Sequence, residues 1–63
     1  MGIHQGINLE DALTVAALSG CTLDRDSGEI VVRFPGQKTV RCNARKKSAP
    51  RALICLLRRI GAA

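Results

Sequence analysis

The spacing of apolar residues changes period twice within 63 residues, and this constrains the fold more than any other feature. Leu9, Ala12, Leu13, Ala16 and Ala17 recur at helical spacing. From Glu29 to Phe34 the pattern alternates, with Ile30, Val32 and Phe34 on one side and Glu29, Val31 and Arg33 on the other. Pro35-Gly36 marks a tight turn. Lys38 to Asn43 then alternates again, with Val40 and Cys42 on one face and Thr39 and Arg41 on the other. Leu53, Leu56, Leu57 and Ile60 fall at i, i+3, i+4 and i+7, a single helical stripe. Helix, strands, helix is the order of an α+β layer pair. It predicts a two- or three-stranded antiparallel sheet with both helices packed on one face.

Punctuation residues sharpen the boundaries. Asn8 is a good N-cap, and Asp11 stands three residues later as in a capping box. Glu10 and Asp11 suit the first turn of a helix, and Gly20 supplies its stop. Cys21-Thr22-Leu23 reads as a short strand and Asp24-Arg25-Asp26-Ser27-Gly28 as a turn. Ala44 to Lys47 reads as a basic loop. Ser48 is placed to cap a second helix with Pro50 in its first turn, and Gly61 to end it. Residues 1–7, with two glycines and no period, read as a flexible N-terminal arm, and 8–63 as one domain.

Phe34 is the one aromatic residue, so the core must come from Leu, Ile, Val, Ala and Cys. A domain this small buries only about 60% of its unfolded surface, which favours a homodimer or an obligate partner. Cys21, Cys42 and Cys55 include no close pair, so they read as core hydrophobes rather than zinc ligands or a disulfide framework. No metal or cofactor is expected. No apolar run approaches the roughly 18 residues that cross a bilayer, and no secretory pattern opens the chain. The expectation is a cytoplasmic protein without a membrane partner.

Signals for catalysis are poor. His4, the only histidine, falls in the arm. Ser19, Ser27 and Ser48 have turn or cap roles and no base nearby in sequence. Asp24 and Asp26 read as turn formers, and the glycines form no phosphate-binding loop. The chain is not expected to be an enzyme.

Charge says more. In residues 1–28 Glu10, Asp11, Asp24 and Asp26 stand against Arg25 alone. In residues 29–63 nine Lys and Arg stand against Glu29 alone. The halves carry −3 and +8, which sum to +5. The densest cluster is Arg45-Lys46-Lys47, followed by Arg51. Cations entering a helix N-terminus suit the phosphates of a nucleic-acid backbone, RNA or DNA. Arg58 and Arg59 extend that surface, and Arg41, with Arg33 and Lys38, adds a patch on the outer sheet face. With no Tyr or Trp and Phe34 wanted in the core, such a protein reads backbone shape rather than unstacked bases.

Residues 20–30, then Val31 to Gly36, Lys38 to Arg41 and Leu53 to Gly61 resemble HicA-like toxins, small mRNA-cleaving proteins. The resemblance implies a double-stranded-RNA-binding-domain-like fold of helix, three strands, helix. That family carries its catalytic histidine shortly after the turn glycine, where this chain has Glu29-Ile30, so a ribonuclease of that type is disfavoured. Lys46-Lys47-Ser48-Ala49 is similar to the Lys-Lys-x-Ala start of the last helix in double-stranded-RNA-binding domains, whose lysines grip phosphates. The further lysine of that pattern is replaced by Pro50, with Arg51 beside it.

The leading expectation is a small non-catalytic nucleic-acid binder. Its rival is a protein-interaction module, a small regulator or phage-type inhibitor. That module would dock on an acidic host protein through the basic face or the strand edge at Lys38 to Asn43.

Overall fold

The computed structural model describes residues 7–62. The chain is α+β: α1 (Leu9–Leu18), β1 (Thr22–Asp26), β2 (Glu29–Arg33), β3 (Val40–Asn43) and α2 (Arg51–Arg59). The strands form one antiparallel sheet in the order β1-β2-β3. α1 packs by β1, α2 by β3, and the helices touch each other. The predicted α+β order and helical layer are therefore those observed. Of the predicted arm, residues 1–6 lie outside the described residues. Ile7 packs against the core, and its carbonyl accepts from the Ala49 N–H at 2.9 Å.

α1 begins as predicted. Asn8 Oδ1 accepts from the Glu10 N–H at 2.8 Å, satisfying an amide that the first turn would otherwise strand. The predicted capping box is incomplete, since only Asn8 supplies a bond. The Asp11 side chain is one methylene shorter than the Glu that normally reaches back. At the other end Gly20, at φ +97°, takes the left-handed position and allows a Schellman close. Its N–H bonds Ala17 O and the Cys21 N–H bonds Ala16 O, at 3.2 and 3.0 Å. α2 ends on the same motif, with Gly61 on Arg58 and Ala62 on Leu57.

Three predicted boundaries change. Asp24, Arg25 and Asp26 are strand, not turn: β1 runs through them and pairs Asp26 with Glu29. The turn is Ser27-Gly28 alone, with φ +49° and +83°. That is the type I′ geometry whose twist matches a two-residue hairpin. β3 starts at Val40 rather than Lys38, because Val32–Val40 is the last pair of its ladder. α2 starts at Arg51. Ser48 does not cap it: Ser48 forms a β-bridge with Asn8, and Pro50 takes the cap position in an extended conformation. The residue before a proline is driven out of the helical region, so Ala49 cannot open the helix.

The core lies between sheet and helices. Leu53, Leu57, Val32 and Cys42 are its fully buried large side chains, with Leu9, Ala12 and Ala16 from α1. The small alanines let α1 approach α2 closely. Phe34 is half-buried at the core margin. Val31 is only 2% exposed yet lies outside this cluster, on the opposite sheet face. Cys55 is exposed, not a core residue as predicted, because it lies off the Leu53–Leu56–Leu57 stripe.

Candidate nucleic-acid interface

The loop from β3 to α2 is pinned along its length. Asn43 Oδ1 accepts from the Arg45 N–H at 2.9 Å, and Asn43 O accepts from the Lys46 N–H at 3.1 Å. The Lys47 carbonyl accepts from the Leu9 N–H at 2.6 Å. The Asn8–Ser48 bridge and the Ala49–Ile7 bond follow. The backbone of the loop thus straps the start of α1, while the side chains of Arg45, Lys46 and Lys47 are exposed. None of the three makes an ion pair among the described residues.

This placement differs from the sequence expectation. The basic run does not enter the α2 N-terminus directly; it lies against α1. An open cavity of about 470 Å³ runs there, lined by Arg45, Lys46, Lys47 and Arg25 with Asn8, Leu9 and Glu10. The α1 amides offer little to an anion. Leu9 and Glu10 already donate within the chain, and Glu10 and Asp11 place negative charge in the first turn.

The start of α2 is the more open end. It has no side-chain cap and no acidic residue in its first turn. The Leu53 and Ile54 N–H groups both turn back to Pro50 O, at 3.1 and 3.2 Å. Arg51, exposed at the first helical position, stands beside the basic loop in sequence. Arg51, Cys55, Arg58 and Arg59 then share the exposed stripe of α2, with Arg51 and Arg58 about 10 Å apart along the axis. Arg59 also lines a second cavity of about 300 Å³ between α2 and the β3 edge, with Lys38, Arg41 and Cys55.

The outer sheet face is not the second cationic patch expected. Asp24, Asp26 and Glu29 there outnumber Arg33 and Arg41. Arg33 pairs with Asp24 at 3.6 Å, and Arg41 pairs with Glu29 and Asp26 at 3.4 and 3.9 Å. Strand register explains it: alternation aims these side chains to one side of the sheet. The acidic residues of β1 therefore do not mask the basic loop.

Arg25 is the residue missed by sequence reasoning. Assigned to a turn, it had no face. The alternation Leu23, Arg25 within β1 puts it on the helix side, where it reaches the loop cavity. No group of three potential metal ligands clusters among the described residues. Burial pushes the Cys42 and Cys21 thiols up, away from the reactive thiolate form. No helix among the described residues is long and apolar enough to cross a membrane. Compared with known proteins, the chain matches no family model, no curated protein and no solved structure.

Proposed function

We propose that this chain is a non-catalytic nucleic-acid-binding protein that grips the phosphate backbone through Arg45, Lys46, Lys47 and Arg51, with Arg58 and Arg59 extending the contact. The observation that carries the reading is a pinned loop whose exposed cations have no acidic partner among the described residues, set beside a helix start with no side-chain cap and no acid in its first turn. A fixed backbone lowers the entropy cost of aligning those side chains on a ligand. Arg41, held by Glu29 and Asp26, takes no part. Phe34 is half-buried, so bases have no aromatic platform and the protein reads shape and charge. The likeness of Lys46-Lys47-Ser48-Ala49 to the phosphate-gripping helix start of double-stranded-RNA-binding domains belongs to the same reading. So does a cytoplasmic location.

The test is an amide-shift NMR titration with a short RNA duplex, a DNA duplex and an acidic peptide, each at low and moderate salt. Shifts centred on Arg45 to Arg51 with a duplex, fading with salt, are the expected result. No shift with either duplex at low salt would sink the reading, and shifts with the peptide alone would replace it by docking on an acidic protein.

A further inference from the structure

β1 is an unusual strand for so small a core. All five of its residues are exposed, and none belongs to the core cluster. Among the described residues it pairs only with β2, which leaves its other edge open. The Ser27-Gly28 turn closes on Asp26 and Glu29, whose carbonyl and amide bond as the ends of a β-turn. Alternation along the ladder then turns the N–H and C=O groups of Leu23 and Arg25 to the open edge. Beside that edge, on the helix side, runs an open groove of about 520 Å³ lined mainly by Leu13, Ala17, Leu18 and Leu23, with Glu10 and Arg25 also in its wall. Leu18 is 84% exposed and Leu23 36%, the exposed large hydrophobics among the described residues. The other edge, β3, contains Arg41, follows Lys38 and lies by α2. β1 has no Pro and no bulge to block edge pairing, and its charged residues, Asp24, Arg25 and Asp26, restrict which registers an added strand can take.

We propose that β1 is the interface between two copies of this chain, paired antiparallel into one six-stranded sheet, with the two Leu23 residues opposite each other at the two-fold axis.

The charges on β1 select both the partner and the register. Two β3 edges would meet beside α2 of both copies, next to the exposed Lys38 and Arg59. Two β1 edges with their helix layers on the same side have three registers near the middle of the strand. Centring on Asp24 opposes two carboxylates at the close, non-hydrogen-bonded spacing of about 4.5 Å. Centring on Arg25 opposes two guanidiniums. Centring on Leu23 opposes two leucines and sets Asp24 against Thr22 of the second copy. It also brings Arg25 opposite the second copy's Cys21, just past the end of α1. α1 has no basic residue in its last turn, so its carbonyl end gains a cation from across the axis. The two apolar grooves meet there, and Leu18 and Leu23 of both copies cover one another.

Sedimentation velocity of the full chain without nucleic acid, across a concentration series, tests this. The expected species is twice 6.7 kDa at the upper concentrations. Leu23→Lys should weaken association at least about tenfold, the scale of burying one charge in an apolar contact. A second test reads the register and survives any folding defect in that variant. With Cys21 and Cys55 changed to Ser, Leu23→Cys should oxidise to a covalent dimer. The expected Cα separation of about 5.5 Å fits a disulfide. Asp24→Cys should stay reduced. A monomer at every concentration, a dimer indifferent to Leu23→Lys, or crosslinking through position 24 rather than 23 would each overturn the proposal. None of these outcomes depends on nucleic-acid binding.

Discussion

The three thiols show how much a single residue's place matters. Cys42 is buried, Cys21 half-buried and Cys55 exposed. A maleimide pulse on the native protein should therefore label Cys55 first and Cys42 only on unfolding, checked by mass spectrometry of peptides. Burial also pushes the Cys42 thiol above its ordinary 9.0. Its neutral form is favoured in the folded state, so this contribution to stability is complete below pH 9.0 and is lost as pH rises through the higher folded value. Urea unfolding midpoints should fall at alkaline pH, and less so in Cys42→Ala measured against its own neutral-pH value. Leu53 is 0% exposed at the centre of the core. Leu53→Ala should cost about 2–5 kcal/mol, comparable with the whole stability of a domain this small. That variant should be largely unfolded at 25 °C by circular dichroism.

At the scale of elements, what was legible followed backbone rules, and what was not depended on contacts remote in sequence. α1 was readable from Asn8, the helical spacing and Gly20, all local signals. The start of α2 was misread because Ser48 looks like a cap. Its real partner is Asn8, forty residues earlier, and the Pro50 ring excludes a helical Ala49. Asp24 to Asp26 looked like a turn because acids are rare in strands. Here they have cross-sheet arginines, and with those they shield Val31 on the outer face. The loop cations of the candidate site were readable from clustering alone, whereas the role of Arg25 needed the register of β1. The hairpin itself can be tested. Ser27 holds φ +49°, a region that Asn tolerates better. Ser27→Asn should stabilise by a few tenths of a kcal/mol, and Gly28→Ala should destabilise by about 1 kcal/mol. A change of 1 kcal/mol moves the thermal midpoint of a 60–100-residue domain by about 4–8 °C, so differential scanning calorimetry resolves the second readily and the first narrowly.

For the whole molecule, the distribution of charge matters more than its sum. The outer sheet face carries three acids against two arginines, whereas the loop and α2 carry Arg45, Lys46, Lys47, Arg51, Arg58 and Arg59 with no acid, so the positive excess sits on the loop and α2. This asymmetry makes a quantitative prediction about nucleic-acid binding. Four phosphates neutralised by Arg45, Lys46, Lys47 and Arg51 give a log–log salt slope of about −3.6 on duplex DNA, at ~0.9 per phosphate. Raising salt fourfold then weakens binding roughly 150-fold. Lys46→Ala with Lys47→Ala should reduce the slope by about 1.8, since two counterions are no longer released. Arg41→Ala should leave the slope nearly unchanged, because its guanidinium lies on the outer sheet face beside Glu29 and Asp26, away from the loop. Fluorescence anisotropy of a labelled duplex at four or five salt concentrations measures all three slopes. If Arg41→Ala lowered the slope as much as Lys46→Ala, phosphates would have to displace carboxylates from Arg41, and the binding surface would be the sheet rather than the loop.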